Sequence, residues 1–555
     1  MVIKLKAKKV KNMKFNKISI LAVAGVLTLT ACDDVNKQEP AGGMITQDQL
    51  TETYGAIPAR VDATFAGMFN MMGEPYGVFG TGHSRADDFG FVMAALSQDA
   101  EGADYIYPNS GYNWFSTCGE YTSRTPNYAN PYIRYAIVYN QIKIANDLIS
   151  SLGANEDDAS KNKVAQARAI RAFDYLNLVP YFQFNYQGHQ NDPCVPIVTP
   201  ETPDPANNPR ATVQECYDLI MSDLDAAIAV LGTDRDSKAQ INANVAYGLR
   251  ARANLYMGKW ADAAADAAKA MEGYTPATIE EVSTPTFVDA SEHNWIWGII
   301  LTDDQAKDRY ATSASWLSSF SASAYTAGGA CYAMINKMLY NKIPATDVRK
   351  GWWVDENLHS PLLATITWNG KTGDDIAPLY IADVKEPFEP YTNVKFGMKR
   401  GIGNTINAND FPLMRVEEMI LIQAEGLAKS GNEAQAKQVL ENFVKTYRDP
   451  SYDSSKGGRN LADEIWYQRR VELWGEGFFM ADANRLHKPV VRFKDNAESS
   501  NEPDAFRFNI DPDDPWLLMR FSDSETNANA AIVNNTGGSQ PKQDQNPSLR
   551  DGVTD

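Results

Sequence analysis

Small apolar residues recur at helical spacing in several long segments of this chain. In VAQARAIRAFDYLNLVPYF, residues 164–182, positions Ala165, Ala169, Ala172, Leu176 and Val179 share one face, and Pro180 closes the pattern. In NANVAYGLRARANLYMGKWADAAADAAKAME, residues 242–272, Ala246, Leu249 and Ala253 stripe one helix. Gly258 and Lys259 then make a turn, and Trp260, Ala264, Ala267, Ala268 and Met271 stripe a second helix. Faces built from alanine let another backbone approach closely, so these helices are predicted to pair. The run NWIWGII, residues 294–300, alternates instead, which predicts a short strand with at most one of Trp295 and Trp297 turned outward.

The central hairpin resembles a tetratricopeptide unit, whose two antiparallel helices need neighbours to bury their small-residue faces. Three weaker pairs go with it: 47–71 with 132–152, 164–182 with 212–231, and 411–429 with 433–446. The expected fold is mainly α, with about four tetratricopeptide-like helix pairs, long loop-rich insertions and a few short strands. The insertions, 73–130 and 275–409, are rich in Gly, Asn, Pro and aromatic residues, and loops this long in an ordered protein usually carry function. No linker divides residues 32–521, which read as one domain followed by a polar tail, 522–555, expected to drape over the surface or be disordered.

The N-terminus follows a different pattern. Residues 1–31 hold seven lysines and no acid, then an apolar core over 18–29 that is shorter than the ~20 residues a bilayer span requires, so the segment reads as an export signal. Met13 offers an alternative start. The core ends in Leu29-Thr30-Ala31-Cys32, which resembles a bacterial lipoprotein box, and the resemblance implies acylation of the Cys32 thiol. Asp33 and Asp34 resemble the acidic flank of surface-exposed lipoproteins. Without residues 1–31 the chain carries 45 basic against 70 acidic residues, a net charge of −25 that repels nucleic acid and anionic lipid. Cys118, Cys194, Cys216 and Cys331 form no metal-ligand pattern and read as buried or singly paired thiols.

Several motifs then occur in a specific order. After Cys32 come ARAIRAFDYLNLVPYF (167–182), RATVQECYDLIMSDLDAAI (210–228) and the hairpin, followed by DVRKGWW (347–353), NDFPLMRVEEMILIQAEGLAKSG (409–431) and IWYQRRVELWGEGFFMADANRL (465–486). Together they resemble the SusD/RagB family of outer-membrane nutrient-binding lipoproteins, over nearly the whole chain after Cys32. The resemblance implies a lipid-anchored protein at the outer membrane facing the cell exterior. It also implies delivery of a glycan, or in some members a peptide, to a SusC-like TonB-dependent transporter, with no cofactor, no metal and no catalytic residue. Arg415, Glu417, Glu425, Arg469, Arg470, Glu472 and Glu476 lie in these motifs among apolar positions. Buried arginines and carboxylates persist only when paired, so they are expected to be scaffold.

A sugar offers apolar faces and a rim of hydroxyls, so its site needs flat aromatic rings with amide, carboxylate or guanidinium groups beside them. One insertion supplies Arg85, Asp88, Asn113 and Trp114; the other supplies Trp295, Trp316 and Tyr325. Rival chemistry is weakly supported. Gly82-His83-Ser84-Arg85-Ala86 lacks the final glycine of a nucleophile elbow, the five histidines are scattered, and Asp511-Pro512-Asp513-Asp514 lacks calcium-loop spacing. A glycoside hydrolase, which needs only two placed carboxylates, stays open, as does a protein-binding scaffold. Labelling of cells with radioactive palmitate is expected to mark the chain, and Cys32→Ser to abolish the mark; unchanged labelling would rule out the anchor.

Overall fold

Alanine stripes, caps and one close glycine set how the helices stack. The computed structural model describes residues 47–110, 113–307, 309–381 and 384–555. Cys32, Met13 and the rest of the export signal lie outside them. The chain divides at Leu50 by its internal packing; of the first unit only 47–50 are described, and residues 51–555 form one compact unit.

The longer helices are α1 (Gln47–Ala56), α2 (Pro58–Asn70), α3 (Phe91–Glu101), α4 (Ala129–Leu152), α5 (Asp158–Phe182) and α6 (Val213–Ile228). They continue with α7 (Ala243–Met257), α8 (Trp260–Ala270), α9 (Val416–Lys429), α10 (Glu433–Tyr447), α11 (Leu461–Glu472) and α12 (Phe479–Arg485). Within residues 51–555, α2 packs on α4, α4 on α5, and so on through α6, α7, α8, α9 and α10, which is the expected array of paired helices. Thr212 and Glu215 form a capping box that starts α6, and the Asn242 side chain accepts from the Val245 amide to start α7. Gly258, at φ 75°, ends α7 in the left-handed conformation and lets α8 fold straight back. Gly426 sets the next spacing: a Cβ there would lie 2.5 Å from the Trp260 carbonyl oxygen, so only glycine brings α9 this close to α8.

Arginine–carboxylate pairs lace the stack. Arg171 joins Asp223 at 2.8 Å and the Asn146 side chain at 2.7 Å, tying α5 to α6 and α4. Arg252 joins Glu418 at 2.6 Å between α7 and α9. The fourth pair differs from the sequence expectation at its start. Phe411–Arg415 is a strand antiparallel to Trp295–Ile299, and the helix begins at Val416 because the backbone of 411–415 is committed to that sheet.

The insertions close over the C-terminal helices through a buried charge cluster. Arg415 binds Glu476 through two nitrogens at 2.8 Å and Glu417 at 2.9 Å, and Arg448 binds Glu472 at 2.8 Å. Arg349 chelates Asp347, and Lys395 donates to Glu476 at 2.8 Å. Each of these side chains is at least 95% buried. The tail from Ser522 is fastened too: Asn529 and Asn208 exchange hydrogen bonds of 3.1 and 2.7 Å, and buried Asp551 pairs with Arg470. The four cysteines among the described residues are all buried and free.

Burial alone would raise the Glu472 carboxyl, but Arg448, Arg415 and Arg349 outweigh it and hold it well below the ordinary range. Its stabilisation is therefore complete above about pH 4.5 and is lost as the pH falls towards the depressed folded value. Glu472→Gln, which leaves the guanidiniums undercompensated in the core, is expected to cost about 3–5 kcal/mol in urea unfolding at pH 7 and less in acid. A loss that does not shrink on acidification would refute this assignment.

Candidate functional site

The loop after α2 makes a tight turn that one buried carboxylate organises. Asp88 accepts from the amides of Val78 and Phe79, at 3.1 and 2.9 Å, and the Tyr76 amide donates to the Asp88 carbonyl. Tyr76 itself sits at φ 62°, a strained conformation for a bulky residue, so the turn is held rather than merely allowed. Arg85 then forks onto Asp87 at 2.9 and 3.0 Å, and its guanidinium lies 5.0 Å from the Trp114 ring centroid and 5.7 Å from that of Phe79. Burial raises the Asp87 and Asp88 carboxyls, against the pull of Arg85 and of the two amides respectively. Asn113 fixes the approach to Trp114 by bonding the Pro108 carbonyl and the Phe115 amide, at 2.9 and 3.0 Å.

The second insertion supplies the other half. Trp316 is fully buried, donates its indole N–H to the Ala86 carbonyl at 2.8 Å and stands edge-on to Phe115. Tyr325 stacks flat on it, with centroids 4.4 Å apart and planes 6° apart. Tyr310 meets Tyr325 edge to face at 6.1 Å, and the Tyr310 amide lies 3.5 Å from the Tyr76 hydroxyl. Trp114 of the first insertion lies beside Tyr325 of the second; burial raises the Tyr325 hydroxyl and the nearby Trp114 opposes the rise. Trp114, against the Arg85 guanidinium, is 38% exposed and Tyr310, against the Tyr325 ring, 46%, large values for aromatic side chains. Beside Trp114 and Arg85 opens a depression of about 420 Å³ that runs past Asn127 and Tyr128.

Of the residues selected from the sequence, the structure brings Arg85, Trp114 and Tyr325 together at this surface. Asp88, Asn113 and Trp316 lie beneath or beside them and shape the loops rather than facing outward. Trp295 is a correction. Every residue of its strand is buried, and its ring lies against Gly298 and the paired strand, so no ligand reaches it. Trp297 is equally buried, bonded to the Ala239 carbonyl and packed edge-on to Phe173. Tyr76, Arg309 and Tyr310 join the site without having been selected from the sequence. The available signal for Tyr310 is a lone aromatic in the polar run KDRYATS, where no core face exists to take it.

A larger cavity, about 600 Å³, lies elsewhere, between Tyr340, Lys350, Trp353, Asp355, His359 and Asp374. It offers less to a ligand: Lys350 covers the Tyr340 ring at 4.1 Å, and His359 is paired with Asp374 at 2.6 Å. Ser84 follows a three-residue 3₁₀ turn in an open loop, not the strand-to-helix elbow a serine nucleophile needs. Among the described residues no three His, Cys, Asp or Glu side chains converge as metal ligands.

The chain is a stacked helical scaffold whose two inserted loops bring aromatic rings to one surface. Residues 92–255 match a family model described as starch-binding and associating with the outer membrane, and residues 377–545 match the model of the SusD family. The chain belongs to the SusD/RagB-like family, whose members are outer-membrane associated. Among solved structures it is similar to a SusD-like carbohydrate binding protein from Bacteroides vulgatus, at 23% identity and TM-score 0.68, covering 86% of this chain and 97% of that one. A SusD superfamily protein from Bacteroides thetaiotaomicron is 20% identical at TM-score 0.66, covering 86% and 99%. Surface glycan-binding protein A from Bacteroides thetaiotaomicron, solved with laminarihexaose, is 15% identical at TM-score 0.62, covering 86% and 99%. No curated protein matches the chain.

Proposed function

We propose that this chain is a cell-surface lipoprotein, anchored through Cys32, that binds a glycan without cleaving it and passes it to a SusC-like TonB-dependent transporter. The observation that carries the reading is the aromatic platform: Trp114 and Tyr310 are exposed, Tyr325 is half-buried beside them on Trp316, and Arg85 lies alongside. Rings so placed suit the apolar faces of sugar units, and the polar groups suit their hydroxyls. The laminarihexaose held by one structural relative supports a glycan over a peptide as the ligand. The two carboxylates of the site loop are unsuited to hydrolysis, because Asp87 is clamped by Arg85 and Asp88 is engaged by backbone amides.

Native affinity electrophoresis through gels containing different polysaccharides, with reducing ends assayed in the same samples, tests the proposal. The expected result is retardation by at least one glycan with no sugar release, and loss of about tenfold or more in affinity on Trp114→Ala or Tyr325→Ala. Release of reducing ends would overturn it in favour of a hydrolase. Absence of retardation by any glycan would favour a peptide ligand or a scaffold role.

A further inference from the structure

Two arginines stand on the platform, and they differ in one respect. Arg85 is neutralised by the bidentate Asp87 pair. Arg309 is half-buried and its guanidinium lies 5.3 Å from the centroid of the Tyr76 ring, yet among the described residues no carboxylate comes within ion-pair distance and its side chain makes no hydrogen bond. Most arginines of this chain are matched with acids, as befits a protein with 70 acidic residues to 52 basic ones. An unmatched guanidinium there is out of character.

Its position gives the exception a meaning. Tyr76 links Arg309 to the rings: its hydroxyl lies against the Tyr310 amide, Tyr310 meets Tyr325, and Tyr325 meets Trp114. The guanidinium lies over the Tyr76 ring and its donors have no partner among the described residues, so the fork is open to a ligand. A planar fork of N–H donors matches a carboxylate or a sulfate, and such charge-assisted bonds are roughly twice as strong as those to a neutral hydroxyl. Arg85 cannot serve in this way, since Asp87 already fills its fork.

Resting on the glycan-binding reading above, we propose that the glycan taken by this platform carries an anionic group, a uronate carboxylate or a sulfate ester, seated on Arg309. The rings hold the sugar faces and Arg309 selects the charge.

The test is calorimetric titration of the full chain, and of its Arg309→Gln and Trp114→Ala variants, with oligogalacturonides, a sulfated galactan oligosaccharide and laminarihexaose. Arg309→Gln is expected to weaken an anionic probe by about tenfold or more, to affect laminarihexaose much less and to keep the melting temperature of the parent. Response to the uronate alone assigns a carboxylate, and response to the sulfated probe alone assigns a sulfate. Equal binding of the anionic probes by parent and Arg309→Gln, with binding still dependent on Trp114, overturns the charge inference and leaves the platform standing. Binding indifferent to Trp114, or no binding of any probe, overturns the platform and the inference with it. Arg309-dependent capture of short peptides with free C-terminal carboxylates, in place of the sugars, would reassign the ligand class.

Discussion

Glu472 accepts a 2.8 Å bond from Arg448 and stands 3.3 Å from both Arg349 and Arg415, so one buried carboxylate is shared by three guanidiniums from three separate parts of the chain. Arg349 belongs to the second insertion, Arg415 ends the strand before α9, and Arg448 follows α10. Glu417, Glu476 and Asp347 supply the remaining negative charge, and Lys395 adds a cation from another stretch of the insertion. Four cations face four anions, all out of water. Removing any one leaves a charge that the interior cannot solvate, which makes the cluster a condition for correct assembly more than a source of net stability.

The cluster matters for function because of what it anchors. It ties an insertion of more than a hundred residues with few long elements of its own to the helical stack. That insertion carries Trp316 and Tyr325 at one point and Arg349 and Lys395 at others, so its docking fixes where the platform stands. Trp316 then locks the two insertions together through the Ala86 carbonyl, Phe115 and Tyr325. The rings that face outward are therefore backed by a continuous rigid chain of contacts down to the helices. A site of this kind meets its ligand with little ordering cost, as a binder of weakly interacting sugars requires.

Legibility in the sequence follows the physics of each part. The helix pairs are readable because alanine at a 3.6-residue period suits a helix packed closely on another, and the array α2 to α10 follows the expected pairing. The scaffold role of Arg415, Glu417 and Glu472 is readable because charges amid apolar positions must be paired. The start of the fourth pair falls at Phe411 in the sequence and at Val416 in the structure. FPLMR continues the apolar pattern of the helix that follows it, and the strand it pairs with, Trp295–Ile299, stands more than a hundred residues earlier in the chain. The site is half legible. Tryptophan in a loop signals either a platform or a plug, and composition alone does not separate Trp114, which is exposed, from Trp295 and Trp316, which are not. Tyr76 and Arg309 are invisible because their role comes from a strained turn and from the lack of a counter-charge among the described residues, both properties of three-dimensional neighbours.

The proposed function rests on Trp114, Tyr310 and Tyr325 forming the surface on which a glycan is held. A crystal structure of the chain grown with an oligosaccharide that retards it in native gels would decide the point. Sugar density is expected to stack on Trp114 and Tyr325, within hydrogen-bond reach of Arg85 or Arg309. Density seated instead in the cavity between Tyr340, Lys350 and His359, with the platform bare, would refute it.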